Sequence, residues 1–282
     1  TRINRSFQTD YVNLTTSRKM NEIGKHCVKK IFRFFGAFSK MMYKLLFHRW
    51  DACYLAITCH GIGFLKDVPF VALCKWFSPK VILHLHNKGL SKEVYRWPYR
   101  WLMPWIFRHT EVILLSERLY SDVASVVRPE QVHICPNGLS SPVDIKEVSH
   151  SSVPHLLFLS NLIESKGVYV LLDACQILKD KGYSFICDFV GGETKEITRR
   201  HLEEEISQRG LEGYVVYHGP QYGEAKELFF QKADIFVQPT FEDCFPLTLV
   251  EAMQHGLPVV STDEGAIPDM IVEINPGESS DR

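Results

Sequence analysis

The segment FEDCFPLTLVEAMQHGLPVV (241–260) places carboxylates at Asp243 and Glu251 on either side of an apolar run, with Glu242 beside the first. Charges in such company need a polar task, because an unpaired buried charge is strongly destabilising. Pro246 suits the first turn of a helix, where its missing N–H is not required. The amides of Leu247, Thr248 and Leu249 would then point out of the helix end, a setting that attracts phosphate. Glu251, about one turn further on, could accept the two hydroxyls of a ribose; a partly exposed helix glutamate is the plainer alternative.

Other residues could join that chemistry. Lys166, in SNLIESKG (160–167), is a compact charge suited to phosphate, although Ser165-Lys166-Gly167 also reads as an ordinary helix start. FVGG (189–192) and YHGP (217–220) put Gly191 and Gly219 in turns at strand ends, where a ligand can approach the backbone or a turn simply closes tightly. In ILHLHNKG (82–89), His84 and His86 face one side of a strand, and His86 is the last residue before the loop. His86 is the better candidate for a ligand contact and His84 for a core position, while His60 in ITCHGIG (57–63) ends the preceding strand. There is no D-x-D flanked by strand signals and no H-x-x-x-H on a helix, so no metal site is expected.

These residues must be held by an α/β framework. Buried parallel strands are expected at 51–58, 80–86, 110–116 and 131–136, with helices near 18–48, 68–77, 91–107 and 117–127. The Pro-, Ser- and Gly-rich run 135–155 reads as a linker. The alternation then restarts, with strands at 155–161, 184–192, 214–220, 233–240 and 257–262 and helices at 165–182, 194–210, 223–231 and 246–256. The expected architecture is two Rossmann-like halves facing one another, residues 1–140 and 141–282, each with a parallel sheet.

A net charge of -1 and a charged fraction of 23% give no bias towards polyanions, so nucleic acid is not an expected partner. The eight cysteines form no C-x-x-C pair and sit mostly in apolar strings, which suits buried reduced thiols and the cytosol. No apolar run approaches the ~20 residues that span a bilayer. Two stretches, 29–50 and 95–109, mix aromatic and basic residues. That composition suits either an interfacial helix on an anionic membrane or a helix packed on the sheet with its basic residues solvated. The chain opens on Thr1 and stops just after a strand-like segment, so further sequence is expected at both ends.

The run EDCFPLTLVEAMQHGLPVVSTDEGAIPDMI (242–271) resembles the donor-site signature of the retaining GT-B glycosyltransferases of family 4, of the bacterial capsule and lipopolysaccharide type. There two acids are separated by seven residues, as Asp243 and Glu251 are. FLSNLIESKGVYVLLDA (158–174) is similar to the family's G-R-x-x-x-x-K-G segment, with Lys166 in place and Asn161 where the arginine would stand. The resemblance implies a GT-B fold and transfer of a sugar from a UDP- or GDP-linked donor to a glycan or lipid-linked acceptor, without a metal. It assigns catalytic roles to His86, Lys166 and Asp243, and donor binding to Asn161, Gly191, Gly219, Glu242, Phe245, Pro246, Leu247, Thr248 and Glu251. His60 falls on the acceptor side. An acceptor on a lipid carrier would make the membrane reading of 29–50 and 95–109 natural, as peripheral contact of a cytoplasmic protein with the anionic inner membrane. A sugar-nucleotide epimerase of the same fold, or a nucleotide-sugar-binding protein without turnover, would share these features.

Overall fold

The computed structural model describes residues 8–15, 28–139 and 152–271. Residues 18–27 of the expected first helix and 140–151 of the expected linker lie outside the described residues. The chain runs through α1 (Val28–Phe47), β1 (Cys53–Ile57), α2 (Gly61–Phe77), β2 (Val81–Leu85), α3 (Leu90–Glu93), α4 (Tyr99–Phe107), β3 (Glu111–Leu114), α5 (Tyr120–Val123) and β4 (Val132–Ile134). It continues through β5 (His155–Leu159), α6 (Val168–Asp180), β6 (Ile186–Val190), α7 (Arg199–Gln208), β7 (Val215–Gly219), α8 (Glu224–Lys232), β8 (Ile235–Gln238), α9 (Leu247–Gln254), β9 (Val259–Ser261) and α10 (Ile267–Met270).

The strands form two sheets, ordered β1-β2-β3-β4 and β7-β6-β5-β8-β9. The pairings β1–β2 and β2–β3 are parallel, as are all four in the second sheet. The chain divides into two compact units, residues 1–85, 89–113 and 122–133 in one and 86–88, 114–121 and 134–282 in the other.

In the second unit, β5 is buried along its whole length and feeds both faces of the sheet. Leu156 and Phe158 pack with Val168, Leu172, Cys175 and Phe189 on one side, and Leu157 and Leu159 pack with Phe230, Phe236, Leu249 and Ala252 on the other. This is why a continuous apolar run, rather than an alternating one, marks a central parallel strand. The strand order reverses between β5 and β8, and ligands of open α/β sheets lie outside the carboxyl ends of strands at such a switch point.

The first unit departs from several expectations. The strand at 51–58 is not fully buried: β1 is an edge strand with Tyr54 exposed and only Leu55 and Ile57 inside. The helix expected at 68–77 begins at Gly61 and runs through Pro69, because Phe64, Asp67, Phe70, Val71 and Cys74 supply a continuous buried face. The single helix expected over 91–107 is two, since Pro98 offers no N–H and disfavours a helical Trp97. The helix at 117–127 is reduced to a 3-10 turn (Glu117–Leu119) and α5. In the second unit the helix expected from 194 starts at Arg199, where the Thr198 side chain accepts the His201 N–H at 3.3 Å.

Candidate functional site

The loops after β5 and β8 meet at the switch point. Gly167, at φ 85°, separates the 3-10 turn Glu164–Lys166 from α6. A Cβ there would lie 2.0 Å from the Pro239 carbonyl oxygen, so only glycine lets the turn press against the loop after β8. Phe241 N–H and Thr240 Oγ1 both donate to the Ser165 carbonyl, at 2.9 and 3.1 Å, tying the two loops together. Lys166 is therefore held just ahead of α6, and its ammonium reaches across to the acidic segment.

There Lys166 Nζ donates to Asp243 Oδ2 at 2.7 Å and to the Glu242 carbonyl at 2.9 Å. The Glu242 side chain is exposed, whereas the Asp243 side chain is only 15% exposed. Asp243 Oδ1 accepts the Cys244 N–H at 2.8 Å, and the Asp243 N–H donates to Glu264 Oε1 at 3.2 Å. Glu264 also pairs with Lys88. Two ion pairs, Lys166–Asp243 and Lys88–Glu264, are thus joined through the Asp243 backbone N–H.

The first turn of α9 opens beside this chain. Pro246 is buried and no side chain caps the helix. The Leu249 N–H turns back to the Pro246 carbonyl at 3.2 Å, which narrows the three open amides expected from the sequence to those of Leu247 and Thr248 among the described residues. Thr248 Oγ1 donates to Gln238 Oε1 at 2.9 Å, and Gln238 is buried at the end of β8. Phe245 packs against the small buried cluster of Leu115, Leu119 and Cys244. Glu251 lies on the α8 side of the helix, where Lys226 Nζ donates to its Oε1 at 2.7 Å.

On the far side of β5, Asn161 Oδ1 accepts the Gly192 N–H at 3.2 Å, so this exposed side chain ties down the loop after β6. Gly191, at φ 155°, would place a Cβ 1.8 Å from the Ser160 carbonyl oxygen, which requires glycine. The Gly191 N–H donates to the Gly219 carbonyl at 3.0 Å, and Tyr217 Oη donates to the Gly191 carbonyl at 2.9 Å. The Arg199 guanidinium lies over the Tyr217 ring, 4.5 Å from its centroid.

The histidines separate. His84 is buried and bonded to Tyr54 Oη at 2.5 Å, a core position. His60, in the first unit, precedes α2 and its ring lies against Gly89, where a Cβ would approach to 3.3 Å. His86 and Lys88 fall within the second unit. His86 is exposed by area, yet burial of the rest of its ring lowers its pKa from the usual 6.5.

The structure thus brings Lys166, Asp243, Pro246, Leu247 and Thr248 together, with Glu251 one turn along α9, and sets Asn161, Gly191 and Gly219 on the neighbouring strand ends. It adds Lys88, Lys226 and Glu264. In sequence, Lys226 within GEAKELFF reads as an ordinary solvated helix charge, and nothing local announces Glu251 as its partner. The buried Gln238 was more legible, since a lone amide closing the apolar run IFVQ needs a partner. Among the described residues no group of three His, Cys, Asp or Glu side chains is arranged to hold a metal ion.

The fold is GT-B: the Anabaena protein HepE in complex with UDP superposes with a TM-score of 0.66 at 20% identity, covering 86% of this chain and 69% of that one. Sucrose-phosphate synthase of Thermosynechococcus elongatus superposes with a TM-score of 0.65 at 18% identity, covering 86% and 63%. Residues 153–278 match the family model described as Glycosyl transferases group 1. In sequence the chain is similar to the amylovoran biosynthesis glycosyltransferase AmsK of Erwinia amylovora, 27% identical over 208 residues, 70% of this chain. The match spans 50% of that relative's length.

Proposed function

We propose that this chain forms the donor-handling part of a retaining glycosyltransferase of family 4, which moves a sugar from a UDP- or GDP-linked donor to a glycan or lipid-linked acceptor in bacterial surface-polysaccharide assembly. The observation that carries the reading is the uncapped end of α9 at the sheet's switch point, flanked by Lys166–Asp243 and Lys226–Glu251. The group 1 match over the same unit and the likeness to AmsK support it.

In this reading the diphosphate takes the Leu247 and Thr248 amides and the Lys166 ammonium. The diphosphate, with two negative charges in all, competes well for that lysine, whose present partner is a single carboxylate. Lys166 turning to phosphate frees Asp243 for the donor-sugar hydroxyls, and Lys226 holds Glu251 beside the ribose. Asp243, rather than the exposed Glu242, is the sugar ligand. His86, largely neutral at pH 7, hydrogen-bonds the sugar, and His60 belongs to the acceptor side. Gly191 and Gly219 border the nucleotide, and Asn161 shapes that border through Gly192.

Chemistry then consists of stabilising the departing diphosphate while an acceptor hydroxyl attacks the anomeric carbon on the same face. The lysines and the helix end take the charge that a metal would otherwise carry. The reaction belongs in the cytoplasm, with a lipid-linked acceptor presented at the inner membrane.

The test is to incubate the protein with UDP- and GDP-sugars and a bacterial lipid extract, and to follow release of nucleoside diphosphate together with incorporation of labelled sugar. Release coupled to incorporation, undiminished by EDTA, is expected. Nucleotide-sugar binding without release would defeat the transferase reading, and loss of activity in EDTA would defeat the metal-independent one.

A further inference from the structure

The thiols of Cys53 and Cys74 hydrogen-bond to one another, as do those of Cys175 and Cys187. The second pair is sealed: both side chains are fully buried, Cys175 on α6 and Cys187 on β6, and burial pushes the Cys187 thiol up. Such thiols fill space and stay inert. The first pair differs, because Cys53 is partly exposed at the start of the edge strand β1, while Cys74 is fully buried in the last turn of α2.

A short circuit of hydrogen bonds holds this first pair together. The Ser78 N–H, at the end of α2, donates to the Cys74 carbonyl at 2.9 Å. Ser78 Oγ donates to the Lys80 carbonyl at 3.0 Å, and the same carbonyl accepts the Cys53 N–H at 2.9 Å. Lys80 leads directly into β2, whose pairing with β1 starts at Cys53 and Val81. The end of α2 and the start of β1 are therefore anchored at one point, which keeps the two sulfurs in contact, the condition for a cross-link.

The same neighbours decide which sulfur reacts. A Cys53 thiolate accepts the hydrogen bond of the Cys74 thiol and can take that of the Ser78 hydroxyl; together these outweigh burial, and the Cys53 pKa falls to about 7. The bond to Cys53 and burial both push Cys74 up, so it keeps its proton. An accessible, readily ionised sulfur beside a buried thiol is the arrangement of an oxidation-sensitive pair.

We propose that Cys53 and Cys74 form a reversible oxidation site for peroxide, with Cys53 as the attacking sulfur and Cys74 as the resolving one. The Cys53 thiolate attacks one peroxide oxygen, the O–O bond breaks, and the other oxygen leaves as hydroxide. The Cys74 sulfur then attacks the Cys53 sulfenic acid: the S–S bond forms, the S–O bond breaks, and the hydroxyl group departs with the Cys74 proton as water. The two sulfurs supply the two electrons that the peroxide gains, and a thiol reductant restores both thiols. The cross-link ties the edge strand to α2.

The test is to expose the folded, reduced protein to hydrogen peroxide, alkylate the remaining thiols and map tryptic peptides. Peptides 50–66 and 67–75 should appear joined, lighter by two hydrogens, and part again in dithiothreitol, while Cys175 and Cys187 alkylate only after unfolding. Cys53→Ser should abolish the link, which separates Cys53 from Cys59 on the same peptide. Cys74→Ser should leave on Cys53 a sulfenic acid that dimedone traps; the wild-type map and the partly exposed Cys53→Ser carry the test should the buried variant not fold. Alkylation of wild-type Cys53 should follow a pH profile with its midpoint near 7, against about 8.5 for an ordinary thiol. If the folded wild-type protein yields no such link, or if the link persists in Cys53→Ser, the proposal is wrong. No nucleotide chemistry is read, so failure here leaves the transferase reading standing.

Discussion

At the scale of the residue, the site is a set of ion pairs that a ligand would exchange. Lys166–Asp243 is partly exposed, so it adds little to folding, no more than ~1 kcal/mol. In the proposed donor site its value would lie in holding an ammonium near the start of α9. Lys166→Met should leave unfolding by denaturant nearly unchanged while weakening nucleoside diphosphate binding about ten- to hundredfold, the loss of one charge-assisted contact; titration calorimetry measures it. His86 gives a second prediction. Burial disfavours its charged form, so its folded pKa lies below the unfolded value near 6.5 and the unfolded chain binds more protons. The penalty is absent above that value and grows as pH falls from it towards the folded pKa. His86→Asn should flatten the acid side of the stability profile below pH ~6.5, and an NMR titration should find the imidazole neutral at pH 7.

At the scale of the element, the turn before α6 decides where Lys166 goes. Ser165-Lys166-Gly167 reads as a plain helix start, and a helix begun there would carry the lysine on its first turn. The left-handed Gly167 instead ends a 3-10 turn and begins α6 anew, with the backbone against Pro239. Gly167→Ala combines left-handed backbone strain with a clash against a carbonyl. It should destabilise the protein by about 3 kcal/mol, read from the denaturant midpoint, and reduce diphosphate binding because the turn no longer fits the loop. The element pattern itself was legible. The strands of the second unit fall inside their expected ranges because each is a short, mostly apolar run closed by Gly, Pro or a polar residue. Helix boundaries were less so: α2 runs through Pro69 because packing of Phe64, Phe70 and Cys74 outweighs the lost N–H, and that packing has no local signature.

At the scale of the molecule, a nucleoside diphosphate that binds the folded state alone must raise its melting temperature. At a hundredfold excess over its dissociation constant the gain is about 2.7 kcal/mol, a shift of roughly 5 °C for a chain of this size. Thermal unfolding with UDP and with GDP should show that shift for the preferred base and a much smaller one in Lys166→Met. Absence of a shift with either nucleotide would count against the donor site as a whole.

The sequence by itself determined the α/β class, the strand-end loops that carry Lys166 and Asp243, the helix that carries Glu251, and the polar need of the acids in an apolar run, because periodicity and residue chemistry are local. Only the tertiary structure decided that Asp243 and not Glu242 meets Lys166, and that Glu251 meets Lys226. It also decided that the tryptophans of 95–109 face outward rather than into the sheet. These outcomes depend on which strand lies beside which and on which side of a helix the core is built, and such neighbours are far apart along the chain.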